Sequence, residues 1–134
     1  MIIIRTEIGD VIEVNAMTLA GATISGLNLH RASLEKQDLR RANLRGTDLR
    51  SARRANLSGA FMRCGRFEYA DFTDTNLQGA NVGYACFAGA CFSGADLRAV
   101  DLASANLIGA VADEKTVWPE GFRAQANGVR TRSK

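Results

Sequence analysis

The side chains able to do chemistry are few, and their spacing does not assemble them. His30 is the one histidine, and no acid or cysteine stands at ligand or relay spacing from it; it follows a large apolar residue and is expected to face outward. Cys64, Cys86 and Cys91 form no C-x-x-C pair, so a four-ligand zinc set is not on offer, and their odd number does not read as a disulfide framework. Acid–base catalysis needs paired groups held in a pocket. Here Asp38, Asp48, Asp71, Asp96 and Asp101 recur at one position, each just before a large apolar residue, where a carboxylate bonds nearby backbone and stabilises a turn. The glycines recur in the same regular way and match no phosphate loop. The expectation is a protein with no catalytic residue, no metal and no cofactor, and not an enzyme.

What remains is charge recognition. The net charge is only +3, but it is banded: Glu35 to Arg66 holds nine basic residues against three acids, whereas Phe67 to Glu114 holds seven acids against one arginine. Within the basic band, Arg40, Arg45, Arg50 and Arg63 each follow a large apolar residue, with Arg41 and Arg66 beside them and Arg53 and Arg54 close by. Stacked on a flat face, these eight would attract a phosphate polymer, a membrane surface or an acidic protein. The plainer reading is a solvated surface on which arginines pair with Glu35, Asp38 and Asp48. Phe61, Tyr69 and Tyr84 are too scattered along the chain to read as a stacking platform for single strands.

The elements that position these groups follow from a five-residue period running from Met17 to Glu114. Large apolar centres fall at Leu19, Ile24, Leu29, Leu34, Leu39, Leu44 and Leu49, then at Leu57, Met62, Phe67, Phe72, Leu77, Val82, Phe87, Phe92, Leu97, Leu102, Leu107 and Ala112. A small residue, usually alanine, stands two places before each centre. Apolar, polar, apolar and then two polar residues make a minimal strand with two inward side chains and a corner. Such a unit buries nothing alone and must stack on another.

The pattern of Ala42-Asn43-Leu44-Arg45-Gly46 and Ala95-Asp96-Leu97-Arg98-Ala99 resembles that of the pentapeptide-repeat family of cyanobacteria and other bacteria. The resemblance implies an all-β fold, a right-handed quadrilateral parallel β-helix with four units to each square coil and about four to five coils in all. Residues twenty apart then stack at about 4.8 Å. Phe87 lies over Phe67, Phe92 over Phe72, and Leu44, Leu107 and Leu49 continue those columns. The segment Thr116-Val117-Trp118-Pro119-Glu120-Gly121-Phe122 is similar to one that follows the repeats in many cyanobacterial members.

The period fails once, where Leu49 and Leu57 are eight residues apart. Three residues inserted as an outward bump carrying Arg53 and Arg54 are preferred over a side that has lost two, because a shortened side would strain its coil; Arg63 then lies one coil from Arg40 on the same wall, and Arg66 neighbours Arg45. Residues 1–16 read as a β-hairpin cap, 17–114 as the repeat, and 115–134 as a C-terminal cap in which Val117, Trp118 and Phe122 plug the open end, with a basic, frayed tail after about Ala124. All of this reads as one domain.

Met1-Ile2-Ile3-Ile4 is interrupted by Arg5 and Glu7, which does not read as a leader, and no apolar run approaches bilayer length. A cytoplasmic chain without membrane insertion is expected. Its function reads as a non-catalytic scaffold offering flat charged faces to another protein, with a homodimer through an end cap as an option. The alternatives are binding of nucleic acid or an acidic protein through the arginine band and, more weakly, the DNA mimicry by which some family members bind DNA gyrase or topoisomerase IV. Mimicry needs acids that track phosphates, and only Phe67 to Glu114 is acidic.

Overall fold

Three choices in each five-residue unit produce one side of a polygon. The centre and the small residue before it point inward: Ala42 and Leu44, Ala60 and Met62, and Ala80 and Val82 are all fully buried. The residue between them is outward, and where it is Asn or Asp its carbonyl or carboxylate oxygen in most units accepts the N–H two residues on, as Asn56 does from Ser58 at 3.1 Å and Asp71 from Thr73 at 2.9 Å. The corner closes when the next small residue's N–H donates to the centre's carbonyl, as Ala60 does to Leu57 at 3.0 Å. That tight turn requires a positive φ one residue before the small residue. Glycine supplies it at several corners, but Arg41, Arg54, Tyr69, Asp74 and Tyr84 also adopt φ of 56–60°.

The computed structural model describes residues 2–14, 17–25, 29 and 31–132. His30 lies outside them. Parallel bridges join the units into four columns, which define four walls. The first wall carries Thr23, Asn43, Phe61, Asn81 and Val100; the second Asp48, Arg66, Cys86 and Asn106; the third Ser33, Ser51, Asp71, Cys91 and Val111; the fourth Asp38, Asn56, Asn76, Asp96 and Val117. Each backbone bonds alternately to the coil below and the coil above: Asn56 N–H donates to Gln37 O and Leu57 N–H to Asn76 O. The result is a β-helix-like solenoid.

Phenylalanines fill its middle. Phe67 stacks on Phe87 with centroids 5.3 Å apart, Phe72 stacks on Phe92 at 5.4 Å, and the two columns meet edge to face at 5.2–5.6 Å. Such aromatic contacts add about 0.5–1.5 kcal/mol each beyond the burial itself. Three small-residue slots hold threonine instead of alanine, and each hydroxyl donates to a buried carbonyl: Thr47 to Leu44 O, Thr75 to Ala52 O and Thr116 to Phe92 O, at 2.7–2.9 Å.

The break at 51–55 is a shortened side and not an outward insertion. Ala52, fully buried, is itself a centre, three residues after Leu49. Ser51 O accepts from Leu34 N–H, while Ala52 and Arg54 N–H donate to Asp71 O and Thr73 O. Shortening therefore keeps these groups in the ladder, whereas an inserted bump would have to strip them from it. The strain expected of a short side is relieved by alanine, the smallest side chain that can serve as a centre beside Phe72. The core columns shift accordingly. Leu49, not Leu44, lies beneath Phe67, as the bond from Leu49 N–H to Arg66 O requires, and Ala52, not Leu49, lies beneath Phe72. Ala52→Leu overfills this place and is expected to lower stability by about 1–3 kcal/mol in chemical denaturation.

A smaller irregularity follows Leu97. Val100 takes its column one residue early, Asp101 turns at φ 64°, and a 3-10 turn over Leu102–Ser104 restores the register at Asn106.

Both ends are covered. β1 (Ile2–Arg5) and β2 (Val11–Val14) form an antiparallel hairpin whose Ile4 is buried and whose Ile2, Ile12 and Val14 pack on the core. β3 (Ala32–Ser33) pairs with β4 (Leu49–Ser51) on the third wall. At the far end of that wall, β5 (Val111–Asp113) pairs in parallel with β6 (Arg130–Arg132). The tail after Ala124 is therefore not frayed through Arg132: Ala124 and Val129 are buried, and Arg130 N–H donates to Ala110 O at 2.8 Å. A strand on this ladder needs only backbone, so its side chains carry no trace of the repeat. Trp118 and Phe122 stack at 5.4 Å and pack on the core. Val117 does not join them; it pairs with Asp96 on the fourth wall and is 42% exposed.

Candidate interaction surface

Because the break removes two residues from a coil, the arginines fall two by two around the solenoid. Arg40 is on the fourth wall with Arg41 at its corner, Arg45 and Arg63 are on the first, Arg66 is on the second, Arg50 stands where the second wall turns into the third, and Arg53 is on the third with Arg54 at its corner. They form a girdle and not a stack on one face. Arg63 lies one coil from Arg45, not Arg40, since Gly46 N–H donates to Arg63 O at 3.0 Å. Arg66 is bridged to Asp48, not set beside Arg45.

Their partners differ. Arg40 clamps Asp38 through Nε and Nη2 at 2.8 and 2.7 Å, and Arg98 clamps Asp96 in the same way three coils above on the same wall. Arg31 reaches Glu7 in the hairpin turn at 3.0 Å and Asp48 at 3.5 Å, tying the N-terminal cap to the second wall. Among the described residues Arg41, Arg45, Arg50, Arg53, Arg54 and Arg66 make no ion pair. Glu35, Lys36, Arg53 and Arg54 line a shallow recess of about 260 Å³ at the third corner.

The Arg40 guanidinium, helped by the Arg40 backbone N–H, holds the Asp38 carboxyl at about 2, below its ordinary 3.8. A carboxyl lowered on folding contributes above its ordinary value and loses that contribution as pH falls through the folded one. The window here is about 3.8 down to about 2, and the contribution is small because the pair is exposed. Carboxyl titration by NMR should give Asp38 a midpoint near 2, and Arg40→Gln should return it toward 3.8.

Sequence spacing missed what lies on the first wall. Arg63 extends over Gly83, its guanidinium 5.1 Å from the centre of the Tyr84 ring and 3.6 Å from Asp101 Oδ2. A Cβ on Gly83 would stand 2.8 Å from Arg63 Nη1, so the absence of a side chain there is what seats the arginine. The available signal was a glycine directly after Val82, an outward place where a soluble side chain would otherwise be free to stand. Phe61, Arg63 and Tyr84 thus share one wall, while Tyr69 belongs to the corner after Phe67, with its ring over Gly89. The aromatic residues are less scattered than their numbers imply.

The sequence model of the pentapeptide repeats matches residues 19–53, 53–94 and 84–113, with eight copies of the repeat. The chain belongs to the pentapeptide-repeat family. Among solved pentapeptide-repeat structures, Rfr23 from the cyanobacterium Cyanothece 51142 is similar over 66% of this chain and 61% of its own, with 28% identity and a TM-score of 0.57. The match thus spans less than two thirds of Rfr23. A pentapeptide repeat protein from Nostoc Pcc 7120 shares 26% identity over 75% of this chain and 76% of its own, with a TM-score of 0.41. One from the Arabidopsis thaliana thylakoid lumen shares 24% over 84% and 59%, with a TM-score of 0.27. No curated protein matches the sequence. Among the described residues no helix is long and apolar enough to cross a membrane.

Proposed function

We propose that this pentapeptide-repeat protein is a non-catalytic scaffold, a single right-handed square solenoid of about four to five coils that presents rigid charged walls to another protein in the cytoplasm. The observation that carries this reading is what the wall carboxylates do. Asp38, Asp71, Asp96 and Asp113 each accept a backbone N–H two residues on, so these acids are spent on corners and are not gathered for proton transfer. The interior is filled by leucine and phenylalanine columns, and the arginines are divided among the walls. That division favours a protein partner over a phosphate polymer, which is best met by cations aligned on one face.

Affinity capture from extract, competed with excess untagged protein, tests this. One stoichiometric partner displaced by the competitor is expected, together with no turnover of ester, phosphate-ester or peptide substrates. Turnover that disappears when wall carboxylates are replaced by amides contradicts it.

A further inference from the structure

The walls differ in how they balance charge. On the fourth, Arg40 and Arg98 are clamped by Asp38 and Asp96. On the second, Arg66 shares the surface with Asp48 and Glu68, Arg50 stands where this wall turns into the third, and Asp48 also meets Arg31. On the third, Lys36, Arg53, Arg54, Arg130 and Arg132 stand with Glu35, Asp71, Asp74 and Asp113. Among the described residues the first wall has Arg45 and Arg63, with Arg41 at the corner leading onto it, against a single acid, Asp101.

That same wall exposes apolar surface. Phe61 and Val100, in one column with Asn81 between them, are 53% and 52% exposed, and Tyr84 at the far corner is 64% exposed. Arg63 lies between the column and the tyrosine, held flat by Asp101, the Tyr84 ring and the space over Gly83. An arginine already fixed loses little freedom on binding, and aromatic residues beside arginine are the side chains that dominate protein interfaces.

We propose that the first wall is the face that binds the partner, and that the partner presents an acidic protein segment bearing apolar side chains. The apolar groups cover Phe61, Val100 and Tyr84, and the carboxylates meet Arg41, Arg45 and Arg63. This rests on the scaffold reading and adds to it the wall and the partner's chemistry. A single-stranded nucleic acid fits less well, because its phosphates would run past Asp101 and Val100 where the wall offers no cation.

Panning random displayed dodecapeptides against the whole protein tests the proposal, with selected peptides measured by fluorescence anisotropy. Enrichment of peptides combining acids with aromatic or aliphatic residues is expected. Their affinity should fall at least tenfold with Phe61→Ala and with Arg45→Glu, each shown by circular dichroism to remain folded, and stay unchanged with Tyr69→Ala at the second corner. The proposal is overturned by no enrichment, by peptides without acids, or by an oligothymidylate that binds more tightly than the peptides. Binding lost only with Tyr69→Ala also overturns it, while leaving the scaffold reading intact. Substrate turnover would strike that reading itself.

Discussion

Phe87→Ala is expected to lower the unfolding free energy by about 3–5 kcal/mol. Phe87 is fully buried and touches all three other core phenylalanines, with centroid distances of 5.3 Å to Phe67, 5.5 Å to Phe72 and 5.2 Å to Phe92. Its wall cannot move in to fill the void, because the backbone beside it is bonded to both neighbouring coils: Phe67 N–H donates to Cys86 O, and Phe87 N–H to Asn106 O. The cavity therefore persists and its cost is added to that of the lost burial. Guanidinium denaturation measures this directly. In a solenoid the neighbouring coils depend on one another only through such contacts, so a fall in the denaturant slope alongside the midpoint would mean that the two ends have begun to unfold separately. A loss below about 1 kcal/mol would mean that the coil collapses around the gap, contrary to the rigid ladder described here.

Gly65→Ala is the second large effect, and it adds a single methyl. Gly65 occupies the small-residue slot two places before Phe67, on a backbone with negative φ that alanine tolerates, so the penalty is purely one of space. A Cβ built there would overlap Cζ and Cε2 of the Phe67 ring. The ring cannot swing away, since Phe87 and Phe72 press on it at 5.3 and 5.6 Å. Overpacking of this kind costs about 1–3 kcal/mol and sometimes more. The cause can be isolated by a double-mutant cycle. In a Phe67→Leu background the same Gly65→Ala change should cost much less, because the ring atoms it meets are gone. An equal cost in both backgrounds would place the damage in the backbone instead.

Much of this architecture is written in short-range pattern. A small residue and a large one separated by an outward residue suffice to specify a two-faced side, and Asn or Asp before the centre specifies its corner. From Leu57 to Leu97 the spacing is unbroken, so simple counting carries a residue such as Phe67 to its neighbour one coil away. Counting fails at Leu49 to Leu57, where eight residues fit a three-residue insertion or a two-residue loss equally well. What decides is whether Ser51, Ala52 and Arg54 keep their backbone partners on the coils below and above, which is a long-range property. That one choice moves Arg63 from beside Arg40 to beside Arg45 and turns an arginine stack into a girdle. Arg130–Arg132 escaped notice for a related reason, since β6 joins the ladder through backbone alone. The first wall was hidden differently. Phe61, Arg63, Gly83 and Tyr84 are near neighbours only because one turn of the solenoid brings the next unit over the last.

Inter-strand nuclear Overhauser contacts between backbone N–H and Hα protons test the ladder most directly. Across the short side they should join Asn43 to Phe61 and Asp48 to Arg66, eighteen residues apart, and beyond it Asn56 to Asn76 and Asp71 to Cys91, twenty apart. Contacts joining Asn43 to Arg66 would instead mean that residues 52–54 bulge outward, and the core columns, the arginine girdle and the binding wall would all have to be redrawn.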